Sequence, residues 1–208
     1  DLSFGGRVQY TRFTAGDVFD PSLLASPGFD GHRESLTDDT GEFALNLGIE
    51  YAVTDGVTMF GRVARAFRAP TVDERVGSDS DNNSFELETQ TSRDAEVGAR
   101  VRLGNVEVQS SAFIMQLRDE LHYDPDSSVN KNFDPTRRWG VENAVTWRPF
   151  DNLRIDANLS YTKAEFTDGP FEGNPVPLVA DWTGSLSFAW DIIGKALSLS
   201  ASADYVSG

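Results

Sequence analysis

The chain has 208 residues, 33 of them acidic and 18 basic, for a formal net charge of −15. That sign excludes a nucleic-acid surface, which needs a positive field, and the absence of cysteine excludes a disulfide framework and any thiolate metal site. No apolar run approaches the roughly 18 residues of a membrane-crossing helix, and the mean hydropathy is mildly polar. A polar average still leaves room for a membrane protein made of strands, where only alternate residues meet lipid.

In chain order, nine strands are predicted, near 1–13, 41–54, 56–69, 91–104, 105–119, 136–149, 152–165, 181–191 and 195–207. Strict alternation is plainest from Phe43 to Val53, where Phe43, Leu45, Leu47, Ile49, Tyr51 and Val53 interleave with Ala44, Asn46, Gly48, Glu50 and Ala52. It returns at Ala95–Leu103, at Leu153–Tyr161 and at Leu197–Tyr205. Strand 56–69 is less regular, with Phe60 on the face opposite Val57, Met59 and Val63; strand 105–119 sets Phe113, Met115 and Leu117 against Val106, Val108 and Ile114. Lengths of about 10–14 residues exceed those of globular sheets and suit a tilted membrane strand.

The connections alternate too. Short turns fall at Thr54-Asp55-Gly56, Gly104-Asn105, Pro149-Phe150-Asp151 and Ile192-Ile193-Gly194, with tight-hairpin chemistry. Long polar segments fall at 14–40, 70–90, 120–135 and 166–180, and hold most of the acid as a solvated surface. Short periplasmic turns and long extracellular loops are what an antiparallel transmembrane β-barrel requires. A soluble sandwich has no reason to keep all its long loops at one end.

The aromatics fit the same frame. All four tryptophans lie on the faces read as outward, as pairs eight residues apart: Trp139 with Trp147, and Trp182 with Trp190. Phe43 with Tyr51, Leu153 with Tyr161 and Leu197 with Tyr205 repeat that spacing. Eight residues of tilted strand climb about 20 Å, close to the apolar band between two aromatic girdles. Phe43, Tyr51, Trp139, Trp147, Tyr161, Trp182, Trp190 and Tyr205 are therefore expected to form those girdles. The alternative is a sandwich core, and Arg138, Glu142, Arg148, Arg154 and Asp156 on the opposite faces count against it.

Several stretches resemble those of TonB-dependent outer-membrane receptors. Phe67-Arg68-Ala69-Pro70-Thr71, with Glu74 following, is similar to a Phe-Arg-Ala-Pro-Thr signature that ends one barrel strand. Leu87-Glu88-Thr89-Gln90-Thr91-Ser92, then Glu96 and Gly98, resembles a Leu-Lys-Pro-Glu-Thr-Ser stretch followed by Glu-Xaa-Gly, with the central Lys-Pro-Glu replaced. Asn132, Arg138, Gly140, Val141 and Glu142 resemble the Asn then Arg-Xaa-Gly-Val-Glu stretch that opens a later strand, and Pro175-Val176-Pro177 is similar to the Val-Pro loop before the next strand. The resemblance implies a barrel of twenty-two strands closed by an N-terminal plug. It also implies a bacterial outer-membrane location and TonB-energised uptake of a scarce nutrient, a ferric siderophore or similar metal chelate. Residues 1–208 read as part of such a barrel, a fragment with neither plug nor TonB box. The expected partners are outer-membrane lipid and lipopolysaccharide, the TonB complex through the plug region, and a metal chelate or vitamin-like ligand.

Catalytic chemistry is sparse. His32 and His122 both fall in long loops, no nucleophile-elbow, zinc-helix or phosphate-loop motif occurs, and neighbouring acids on a strand point to opposite faces. Neither an enzyme nor a cofactor is expected. Asp79-Ser80-Asp81-Asn82-Asn83 offers hard oxygen ligands that suit calcium, against the plainer reading of a polar loop tip. Ligand contacts are expected from loops and upper lumen, with Arg65, Arg68, Arg75, Arg118, His122, Tyr123, Arg137 and Arg138 as candidates. Arginine and tyrosine suit anionic chelates through charge-assisted hydrogen bonds and stacking. The alternative for each arginine is pairing with carboxylates or lipopolysaccharide phosphates, and for Arg68 a role in fixing the turn before Pro70. Two other functions share the strand pattern: a passive porin-type channel and a soluble all-β binding module.

Overall fold

The computed structural model describes residues 1–16, 35–75, 87–124, 129–194 and 196–208. His32 and the Asp79–Asn83 segment lie outside the described residues. The long strands are β1 (Leu2–Gly16), β2 (Ser35–Thr54), β3 (Val57–Arg68), β4 (Gln90–Leu103) and β5 (Val106–Arg118). After a small hairpin of β6 (Glu120–Asp124) and β7 (Val129–Phe133) come β8 (Thr136–Phe150), β9 (Leu153–Phe166), β10 (Trp182–Ile193) and β11 (Leu197–Val206). The nine long strands form one antiparallel sheet in chain order, and β6–β7 stands apart as a two-stranded sheet. This is the wall of a transmembrane β-barrel, open at β1 and β11.

Two expected loops hold further strand. The hairpin of β1 and β2 runs on to the pair Gly16 and Ser35, well above the expected start at residue 41. Arg12 forks onto Asp39 there at 2.7 and 2.9 Å, a two-pronged charge-assisted contact that holds the strands together beyond their apolar stretch. The guanidinium keeps the Asp39 carboxyl below the usual carboxylate range. Segment 120–135 is the second case: Asp119, with φ of 56°, turns the chain out of β5 into the hairpin β6–β7. Aspartate tolerates this left-handed backbone better than most residues.

Apolar residues lie on the outside. Among the described residues, buried hydrophobics are confined to Leu87, Leu117, Ala164, Phe166 and Val176. Large apolar side chains such as Leu47, Ile49, Leu159 and Leu186 are about half exposed along one face. A water-soluble protein rarely bares so continuous an apolar surface, whereas a barrel wall presents it to lipid. The small buried cluster of Ala164, Phe166 and Val176, flanked by Phe133 and Val179, sits at the long-loop end of β9. The opposite face carries Arg62, Glu96, Arg100, Glu142, Arg154 and Asp156. Two aromatics also point that way: Phe60 pairs with Gly98 and Phe113 with Gly140. A Cβ on Gly98 would collide with the Phe60 ring, and one on Gly140 with the Tyr161 carbonyl. Each ring thus covers backbone that its glycine leaves bare, which explains the irregular alternation of β3 and β5.

The pairing fixes the tilt that would bring the aromatics level. Leu45, Arg65, Arg93, Gln116, Arg137 and Glu165 stand side by side across β2, β3, β4, β5, β8 and β9. Phe43 lies two residues above that row on β2, while Trp182 on β10 is opposite Tyr161, four residues below it. The upper aromatics therefore descend six residues over six strand steps. One residue per strand, at ~3.3 Å rise and ~4.8 Å spacing, is a tilt of about 35°. On a sheet tilted by that amount, Phe43, Trp139 and Trp182 share one level, and Tyr51, Trp147 and Trp190 share another about 22 Å below. Tyr205 stands at the upper level on β11, and Tyr161 bridges Trp139 and Trp182 with ring centroids 5.9 and 4.8 Å apart.

Candidate functional site at the inner mouth

The long-loop end of the wall's polar face gathers five of the eight candidate ligand contacts. Pro70 ends β3, since it cannot donate to a ladder, and the next residues form one helical turn, α1 (Val72–Arg75). Thr71 caps that turn. Its hydroxyl accepts from the Glu74 N–H at 3.3 Å, and a Glu74 carboxylate oxygen accepts from the Thr71 N–H at 2.8 Å and hydroxyl at 3.0 Å. This is a capping box, in which each residue satisfies the other's backbone. Arg68 donates to the second Glu74 oxygen. Burial pushes the Glu74 carboxyl up, but the Thr71 N–H, the Arg68 guanidinium and the Thr71 hydroxyl outweigh it together, leaving it below its ordinary value. Arg75 is buried, 2.8 Å from Asp38 and over the Phe13 ring at 5.1 Å, so it ties α1 to the raised hairpin of β1 and β2.

Two asparagines bind the loops to one another. Asn130 donates to the Glu74 carbonyl at 3.1 Å. Asn132 accepts from the Glu88 N–H at 2.8 Å and donates to the carbonyls of Glu88 at 3.1 Å and Asp119 at 2.8 Å. One amide thus joins β7, the approach to β4 and the bend after β5. Nearby, Glu120 accepts from Arg138 at 2.5 Å and from the Thr136 hydroxyl at 3.3 Å, with Thr136 fully buried. His122 stacks on Phe133 at 4.2 Å, Phe133 meets Phe166 edge-on at 5.6 Å, and Tyr123 remains exposed.

The eight candidates separate by face. Arg68, Arg75 and Arg138 share the polar face, and His122 and Tyr123 stand on the hairpin beside them. Arg65, Arg118 and Arg137 lie on the apolar face: Arg65 is opposite Leu45, Arg118 opposite Thr91, and Arg137 two residues from Trp139. By strand parity those three leave the wall on the side away from the lumen. Arg65 binds Glu42 at 2.9 Å and lies over the Phe43 ring at 4.1 Å, while Arg137 is paired with Glu165. The inner-mouth arginines are charge-paired, so the site offers a neutralised, hydrogen-bonding rim with aromatic surface. Asn132, Glu74 and Glu120 were missing from the ligand-site candidates. The Thr-Xaa-Xaa-Glu spacing after Pro70 was the visible signal for Glu74. Among the described residues no cluster of three or more metal-ligating side chains occurs.

The fold recurs in solved receptors. The siderophore receptor PiuA from Acinetobacter baumannii matches with a TM-score of 0.68 at 14% identity, over 99% of this chain and 31% of its own. The ferric-catecholate import receptor Fiu from Escherichia coli K12 gives 0.66 at 14%, again over 99% and 31%. The ferric yersiniabactin uptake receptor FyuA from Yersinia pestis gives 0.63 at 20%, over 96% and 30%. The chain therefore spans less than a third of the length of these proteins. They are receptors and importers rather than enzymes. A family model described as TonB dependent receptor-like, beta-barrel matches residues 1–208, and the chain belongs to that family.

Proposed function

We propose that this wall belongs to an outer-membrane receptor that imports a ferric siderophore or similar metal chelate with energy from the TonB complex. The observation that carries the reading is the company the fold keeps: PiuA, Fiu and FyuA are receptors for a siderophore, a ferric catecholate and ferric yersiniabactin. The geometry is consistent with it. The long-loop end faces the outside, the two aromatic levels lie at the interfaces of the membrane, and the inner mouth presents Arg68, Arg138, His122 and Tyr123 to an incoming anionic, aromatic chelate. Arg75 acts one step back, holding α1 in place. A TonB-energised importer needs a plug domain as its second partner.

Radiolabelled iron uptake tests the proposal. A strain deleted for the full gene is supplied with a panel of ferric siderophores and compared with the complemented strain and with a TonB-deficient one. Uptake of at least one chelate is expected to require both the gene and TonB. Uptake that survives loss of TonB would point to passive passage and defeat the reading.

A further inference from the structure

We propose that two copies of this barrel associate side by side in the membrane, about a two-fold axis that runs along the membrane normal and passes at Asn143. Such a pair depends on the apolar face meeting lipid and is independent of what the lumen passes.

A polar pair sits where lipid offers no polar partner. Asn143 lies on the apolar face of β8, four residues from Trp139 and four from Trp147, so it stands at the midplane, about 11 Å from either aromatic level. Ser110 is its neighbour on β5, and the serine hydroxyl donates to Asn143 Oδ1 at 2.8 Å. Both residues are exposed on the bare wall. Among the described residues, the apolar face between the two aromatic levels otherwise carries aliphatic and aromatic side chains and glycine, with arginine only at its upper rim. The Asn143 amide keeps two N–H donors with no partner among the described residues, and its oxygen keeps a lone pair. Hydrocarbon holds no water to satisfy them, and a bare amide at that depth is costly.

The residues around Asn143 suit such an axis. With one residue of stagger per strand, Ser110 on β5 stands one residue below Asn143 and Ala112 one above; on β9, Ala157 stands one below and Leu159 one above. A two-fold along the normal keeps every height and exchanges left for right, so β5 of each copy faces β9 of the other. The exposed Leu159 of one copy then meets Ala112 of the other about 3 Å above the midplane, and Ala157 meets Ser110 as far below. Ala112 borders the apolar groove that also holds Gly61 and Ala95, so a leucine finds a recess there. The lean carries Arg137, six residues up β8, about 11 Å to one side of the axis and its copy as far to the other. At about 22 Å apart the two charges do not oppose the pairing.

A second copy is the occupant that answers the amide. An acyl tail has no acceptor at this depth. The two-fold brings an identical amide to the same height, and each Asn143 then donates an N–H to the free lone pair of the other while Ser110 keeps its own contact.

The test uses the full-length protein folded into lipid vesicles with one dye per chain, and counts photobleaching steps as the protein is diluted into lipid. Dimers are expected. Asn143→Leu and Ala112→Phe should each raise the dissociation constant about tenfold, while Leu47→Ala, at the same depth four strands away, leaves it unchanged. At a dilution where all chains are single, Asn143→Leu should unfold at a higher guanidinium concentration than the native sequence, because leucine replaces a bare amide in lipid. An asparagine that served only to hold β5 to β8 would give the opposite sign. In the bacterial outer membrane, benzoylphenylalanine in place of Val145 should photo-crosslink to a second copy of the chain, and in place of Leu47 should not. Native chains that stay single at every dilution, a dimer indifferent to Asn143→Leu, or a crosslink to a different protein would overturn the proposal. Iron uptake on the same preparations keeps the readings apart: TonB-dependent uptake by a chain that stays single removes the dimer only, and a dimer without such uptake removes the receptor reading only.

Discussion

Replacing Leu186 by arginine is the sharpest probe of which face meets lipid. Leu186 lies on β10 four residues from Trp182 and four from Trp190, on the same face as both. At about 35° of tilt it stands about 11 Å from either aromatic level, at the midplane of the apolar band. An arginine at the midplane of a barrel's lipid face costs about 2–4 kcal/mol. Leu186 is 55% exposed on the bare wall, so loss of its own contact with lipid adds about 1 kcal/mol. The expected total is about 3–5 kcal/mol. The control is its neighbour Ser187, which points the other way and is paired with Asp156 on one side and Ser202 on the other. Ser187→Arg gains a carboxylate within reach and should change stability by less than about 1 kcal/mol. Both variants of the full-length protein are unfolded from lipid vesicles with guanidinium, and the midpoints and slopes compared. Equal cost for the two substitutions, or a larger cost at Ser187, would refute the assignment of faces.

Two further outcomes follow from the inner mouth. The Glu74 carboxyl is held below its ordinary value, so its contribution to the α1 turn is complete above about pH 4.5 and is lost as pH falls below that, through the folded value. Hydrogen exchange at residues 71–75 should accelerate over that acid window in the native protein and lose its pH dependence in Glu74→Gln; an unchanged profile in the variant would discount the capping box. Asn132→Ala removes three hydrogen bonds that join separate segments, at about 1 kcal/mol each. Exchange at Glu88 and at the bend by Asp119 should rise together by one to two orders of magnitude, or about 1.4–2.8 kcal/mol, and protection that persists at both places would show that the loops are held elsewhere.

Most of the wall was legible in the sequence because a one-sided apolar environment leaves a period of two. Phe43 to Val53 declares its face at every second residue, and the eight-residue interval of the tryptophans sets a height without any coordinates. The β6–β7 hairpin was not legible, because Glu120-Leu-His-Tyr-Asp and Val-Asn-Lys-Asn-Phe have no continuous apolar face, and their pairing depends on the bend at Asp119 and on Asn132. The extension of β1 and β2 escaped for a related reason: Arg12 and Asp39 hold the strands by charge, where the alternation has already stopped. The outward position of Arg65 and Arg137 was readable in principle. Arg65 has the parity of Met59 and Val63, and Arg137 that of Trp139. The expectation that arginines near a barrel mouth serve its ligand overrode that parity. Which loop residues meet at the mouth depends on contacts between segments far apart in sequence, such as Arg75 with Asp38, and no local pattern encodes those.

The stagger of one residue per strand has a further consequence for the size of the passage. A strand spaced ~4.8 Å from its neighbour and leaning by about 35° occupies about 5.9 Å of girth. The twenty-two strands that the family resemblance implies would then enclose a cylinder about 41 Å across its backbone. Lining side chains shorten that bore by only a fraction, so water and small solutes would stream through it unhindered. A receptor of the proposed kind, closed with that many strands, would therefore need a domain seated inside the bore.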